Sequence, residues 1–254
     1  MYKAETIEEI FSRNKYTFSQ DYRSIENWIA SLEMNLSKAL IKSHGYNRVV
    51  SLFDFHQLSQ LERFQNIKKA CVVSGLESEL ELNFVNPQEV FTTSLENGYD
   101  LTKNWDSDNF INIEVKASFD LVICNQVLEH VPDPIRAFKN LELMTKPGGY
   151  IWLSLPVINR IHDEPNFYSS GYHPRYLQFL ADELHLHTIH IGSWGSLKYK
   201  LFAVSRNWPP LRKLKKGLRS NSDFLFPRGI FMDGRKLEKK HLVETWGLFQ
   251  KPKV

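Results

Sequence analysis

Two short apolar runs, FDLVIC (119–124) and GYIWLSL (149–155), flank a well-punctuated helical pattern, and this unit constrains the fold more than any other feature. Asp133 can cap the helix, Pro134 suits its first turn, and Ala137, Phe138, Leu141 and Met144 recur on one face. Lys146-Pro147-Gly148-Gly149 then ends the helix and turns the chain into the second run. The same grammar begins at KACVV (69–73), with EVFTTS (89–94) as a weaker strand. It continues in a helix after Pro174, carrying Leu177, Leu180, Ala181 and Leu184, and in the late strands HTIHIG (187–192) and HLVETWGLF (241–249). Alternating strands and helices predict an α/β fold, a mostly parallel sheet with helices on both faces. Such sheets bind ligands beyond the carboxyl ends of their strands, where strand order reverses.

Ahead of this region, Ile25, Trp28, Ile29, Leu32, Leu36, Ala39 and Leu40 form one helical stripe, with Ser24 as a candidate N-cap and Gly45 as a stop. Residues 1–65 read as an N-terminal helical extension and 66–254 as the main domain, with a basic insertion at about 196–240. A net charge of +3 over 254 residues makes no global demand for nucleic acid or membrane. The basic excess is local: RNWPPLRKLKKGLR (206–219) reads as a solvated surface segment, or as a patch for a phosphorylated, glycan-linked or lipid-linked acceptor or an anionic membrane surface. Nucleic acid is not expected there, because the excess is one short segment rather than a face. Cys71 and Cys124 sit inside apolar runs and read as reduced core thiols. No signal core and no membrane-length apolar run occurs, which predicts a cytoplasmic protein.

The segment FDLVICNQVLEHVPDPIRAFKNLELMTKPGGYIWLSLP (119–156) resembles the core of the class I S-adenosylmethionine-dependent methyltransferases, in particular the broad group acting on small molecules, sugars and lipids. Phe119-Asp120-Leu121-Val122, Leu128-Glu129-His130-Val131 and Lys146-Pro147-Gly148-Gly149 carry the resemblance. His162, Pro165, Tyr168, Tyr172 and Pro174 keep the spacing of a substrate-side loop in relatives of this type. The likeness is dense over 118–177, thinner over 68–195 and absent before 65. It implies a Rossmann-like, seven-stranded sheet whose antiparallel last strand contains Glu244-Thr245-Trp246. It also implies S-adenosylmethionine as cofactor, and methyl transfer to an O or N nucleophile of a small-molecule, sugar or cell-envelope-related acceptor.

Aligned on that pattern, VVSGLESE (72–79) is the cofactor loop with Gly75 as its first glycine. Glu77 and Glu79 replace the next two glycines, and Val73 replaces an acidic residue. About two dozen residues separate Glu96 from FDLVIC, so the usual intervening helix and third strand are short or missing. The resemblance assigns Ser74 and Gly75 to the cofactor's methionine end, Glu96 to its ribose, and Asn125, Gln126 and Val127 to its inner side. His130 or His162 is the candidate general base, and Tyr168, Tyr172 and His173 are the candidate acceptor contacts. His185, His187 and His190 read as decoration of a strand and its approach. No metal site is expected, since no Cys/His spacing of the usual kind occurs. The rival reading is a catalytically silent protein that keeps the fold as a binding scaffold, and a third is an enzyme of this fold that binds another nucleotide-containing ligand.

Overall fold

The computed structural model describes residues 22–32, 45–64, 66–75, 79–96, 98–105, 115–159, 161–195 and 242–253. Leu36, Ala39, Leu40, Glu77 and the basic segment 206–219 lie outside them. Two helices come first, α1 (Tyr22–Ser31) and α2 (Gly45–Ser59). They are followed by β1 (Lys69–Val73), a single turn α3 (Leu82–Val85), β2 (Glu89–Thr93) and β3 (Phe119–Asn125). Then come α4 (Pro134–Met144), β4 (Thr145–Pro156), α5 (Pro174–Glu183), β5 (His187–Trp194) and β6 (Glu244–Gln250).

The strands form one sheet in the order β2-β1-β3-β4-β6-β5. The first four are parallel, and β6 runs antiparallel between β4 and β5. The sheet has six strands among the described residues where the resemblance implies seven. Between β2 and β3 the described chain is turns and irregular structure, in keeping with the shortened middle. The chain moves outward from β1 to β2 and then crosses to β3 on the other side of β1. Strand order therefore reverses between β1 and β3, and the position where sheets of this kind bind ligands falls at Ser74-Gly75 and Asn125-Gln126.

Alternation along each strand separates two cores. Ala70, Val72, Leu121, Ile123, Tyr150, Trp152, Trp246 and Leu248 pack with Ile25, Trp28 and the α2 residues Val49, Val50, Leu52, Phe53, Phe55 and Leu58. Cys71, Val73, Val122, Cys124, Ile151, Leu153 and Phe249 face α4 and α5 instead. Each fully buried aliphatic or aromatic side chain here stabilises the fold by about 1.5–3 kcal/mol over leaving it in water. Both cysteines are free and buried, and burial pushes each thiol well above its ordinary range. Asp133 caps α4 as its sequence predicts, accepting a hydrogen bond from the Arg136 amide at 3.0 Å.

Three expectations change. Ser24 lies within α1, which has already begun at Tyr22, and so is not its N-cap. Gly45 opens α2 rather than stopping a helix, since the run after it supplies enough apolar residues for a second helix that buries against the sheet. His190 is 5% exposed and joins the core. Its Nε2 lies 3.1 Å from Asp54 Oδ2, which also accepts from the Trp246 indole N–H at 2.9 Å. Gly192 makes room for that indole, because a Cβ there would stand 2.2 Å from Trp246 Nε1.

Candidate functional site

At this position a chain of buried polar groups runs across the carboxyl ends of the strands. Arg48, on α2, donates from Nη2 to Glu81 Oε1 at 2.7 Å and to Glu79 Oε2 at 3.2 Å. Asn125, the last residue of β3, donates to Glu81 Oε1 at 3.0 Å and accepts from Ser154 Oγ at 2.8 Å. Glu244, at the start of β6, accepts from Ser51 Oγ at 3.1 Å. Burial works against the charge of Arg48, but Glu81, Glu79 and Glu244 hold the guanidinium firmly protonated. Burial and repulsion from Glu81 raise the Glu79 carboxyl above its ordinary range despite Arg48. Complete burial carries Glu244 furthest, to about 8, with Glu81 and Glu129 adding to the effect against Arg48 and Ser51.

Ser74 and Gly75 follow β1 directly. Ser74 is exposed at φ +51°, with its amide donating to the Thr93 carbonyl. The sequence suggests that Gly75 is small so that a ligand can approach. A Cβ there would instead stand 2.4 Å from Val72 Cγ1 and 3.3 Å from Glu79 Oε1, so the chain's own side chains fill that space. Glu79 thus folds back from the loop onto Arg48. Glu96 is exposed in the turn after β2. Gln126 turns at φ +55° with its amide donating to the Ser154 carbonyl, and Val127 is buried beside it.

The next residues enter a 3-10 turn, Leu128–His130. His130 and His162, two alternatives in sequence, meet here with ring centroids 4.8 Å apart. The Phe167 ring lies 4.9 Å from His162 and 6.0 Å from His130. Beneath them Glu129 is fully buried, and neither of its carboxylate oxygens reaches a hydrogen-bond partner in another residue. Burial raises this carboxyl above its ordinary range, while the two histidines work the other way. The loop after β4 is tied over the turn: the amides of Tyr168 and Ser169 donate to the Glu129 carbonyl, and Tyr172 Oη donates to the Leu128 carbonyl. Tyr168 is exposed, Tyr172 stacks on Tyr176 at 5.0 Å, and His173 caps α5 by accepting from the Arg175 amide. Sequence reasoning passed over Arg48, Glu81, Glu129 and Glu244. Of these, Glu129 carried a signal, being the acidic residue of the LEHV segment.

A profile of the family described as "Methyltransferase domain" matches residues 38–194, more than half of the chain. The chain belongs to this methyltransferase domain family. Curated relatives match over shorter stretches. The ubiquinone biosynthesis O-methyltransferase of Vibrio vulnificus is 34% identical over 88 residues, 34% of this chain and 35% of that one. Its counterpart in Coxiella burnetii is 50% identical over 42 residues, 16% and 17% of the two chains. The matched part thus spans about a third or less of those relatives' lengths. Among solved structures, the N-methyltransferase NodS from Bradyrhizobium japonicum in complex with S-adenosyl-L-homocysteine aligns over 91% of this chain and 98% of its own, at 12% identity and TM-score 0.43. The methyltransferase domain has no described helix long and apolar enough to cross a membrane.

The residues at the crevice suit the family's cofactor at its amino-acid end. Arg48 Nε is a buried donor without a partner and Glu81 Oε2 a buried acceptor without one. A donor and an acceptor are what the carboxylate and the ammonium of an amino-acid zwitterion would need.

Proposed function

We propose that the protein is an S-adenosylmethionine-dependent methyltransferase acting on an oxygen or nitrogen of a small-molecule, sugar or cell-envelope-related acceptor. The observation that carries this reading is the meeting of His130 and His162 beside the turn that leaves β3, on the carboxyl edge of the sheet where Asn125 joins the buried network of Arg48 and Glu81. Ser74, Gly75, Asn125, Gln126 and Val127 would line the cofactor, Arg48 and Glu81 would hold its amino-acid end, and Glu96 its ribose. When bound, the cofactor supplies an electrophilic methyl group on a sulfonium. The protein's task is then alignment and removal of a proton. One imidazole, exposed enough to meet an acceptor and oriented by the loop after β4, takes that proton, and Tyr168, Tyr172 and His173 flank the approach.

Calorimetry with S-adenosylmethionine and with S-adenosylhomocysteine tests the reading. Binding of either supports it, and no heat at millimolar ligand favours the silent scaffold, a reading that the Arg48–Glu79 pair across the loop also suits. With an acceptor in hand, replacing the base should lower turnover roughly 10²–10⁴-fold at nearly constant cofactor affinity.

A further inference from the structure

We propose that Glu129, His130 and His162 form a binding site for one divalent transition-metal ion of the zinc class. One ligand atom from each of the three lies within 4.8 Å of the others, and Glu129 Oε1 stands 4.0 Å from His130 Nε2. Around a tetrahedral zinc, ligand atoms stand roughly 3.3 Å apart, as bond lengths of about 2.0–2.1 Å require. Closing the set needs the ligand atoms to approach by up to about 1.5 Å, and His162 sits on the irregular loop between β4 and α5 rather than on a strand or helix.

A second, independent observation points to the same ligand. A carboxylate that is fully buried with no hydrogen-bond partner in another residue for either oxygen is costly, whether it stays charged or takes up a proton. A cation between Glu129 and the imidazoles would remove that cost. The chain also prepares the nearer histidine. His130 Nδ1 lies 2.8 Å from the Asn166 carbonyl oxygen, which can only accept, so Nδ1 carries a proton and Nε2 is the ring nitrogen turned toward Glu129. Fixing the far ring nitrogen on a carbonyl is how metal-ligating histidines are oriented. Asp163, 3.8 Å from His162 and largely exposed, adds negative charge at the rim. Two imidazoles and one carboxylate suit zinc, iron(II) or manganese(II) better than calcium or magnesium.

Three protein ligands leave a coordination position open. With the ion bound both imidazoles are ligands, so the ion takes over the role of the base: an acceptor hydroxyl oxygen at the open position would release its proton to solvent at lower pH than in water. That link to catalysis rests on the proposed function, whereas the ion site does not.

The test uses the full chain, stripped with a chelator and titrated with zinc(II) against a competing metal indicator, in the absence of S-adenosylmethionine. One ion per chain should bind, and His162→Ala and Glu129→Gln should each weaken it at least 10–100-fold. His162→Ala alters a half-exposed loop residue, so its fold is not at risk. His185→Ala with His187→Ala, on exposed residues away from the site, should bind like the parent. No ion uptake, or unchanged affinity in His162→Ala, overturns the site, leaving a protonated Glu129 or an adventitious ion elsewhere. Ion binding without S-adenosylmethionine binding would sink the methyltransferase reading and leave the ion site standing. The reverse result would do the opposite.

Discussion

Glu244 carries the sharpest stability prediction, because its carboxyl is fully buried and raised from 4.5 to about 8. The sign follows from proton counting. Between pH 4.5 and 8 the folded chain keeps a proton that the unfolded chain releases, so stability falls as pH rises through this window. Every tenfold gain in proton affinity corresponds to about 1.4 kcal/mol, so the fold gives up roughly 4 kcal/mol at this one group by pH 8. Glu244→Gln keeps an oxygen to accept from Ser51 and removes the titration. Arg48 is not stranded by the change, since Glu79 and Glu81 still hold it. The variant should match the parent within about 1 kcal/mol at pH 5 and exceed it by about 2–4 kcal/mol at pH 8. Urea unfolding at pH 5, 6, 7 and 8, followed by circular dichroism, reads this directly. A variant less stable than the parent at pH 8 would mean that Glu244 is ionised in the fold and needed by Arg48, and the reasoning would fail.

Other perturbations probe separate links. Gly192→Ala drives a Cβ into the Trp246 indole and should cost about 1–3 kcal/mol or more in chemical denaturation. Asp133→Ala removes the α4 cap and should cost about 1 kcal/mol by the same measurement. Glu79→Gly releases Arg48 to meet the cofactor carboxylate and should tighten S-adenosylmethionine binding about 10-fold in calorimetry; weaker binding would show that Glu79 holds the ligand's positive end. Glu96→Ala should weaken the same binding by about 1–3 kcal/mol if its carboxylate accepts the ribose hydroxyls, and an unchanged constant removes it from the site.

The strands were legible because their residues carry a local signal. KACVV and FDLVIC are short apolar runs, and the helix between β3 and β4 announces itself through Asp133, Pro134 and a regular buried stripe. The meeting of His130 with His162 was half legible, as two candidates on separate segments. Their contact depends on hydrogen bonds from the Tyr168 and Ser169 amides to Glu129, which no spacing rule encodes. Arg48 was illegible for a different reason. It lies on a helix with no visible link to the strands, and its partners Glu79 and Glu81 follow a loop whose missing glycines drew attention to a ligand rather than to α2. His190 misled for the same reason: a histidine in a strand is polar by type, and only Asp54 across the packing interface makes it a core residue.

The chain leaves the sheet at Trp194 and returns before Glu244, and the two ends are stitched together by the Val243 amide on the Trp194 carbonyl at 2.8 Å. Whatever lies between those points is therefore hung from a hairpin stalk whose base is already closed by paired strands. Doubling or halving the length of such an inset changes its closure entropy by only about 0.6 kcal/mol. The stalk stands beside Pro156, where β4 delivers the loop that carries His162. Exchanging the inset between Trp194 and Leu242 as a cassette should therefore leave the packing of the two cores as it is.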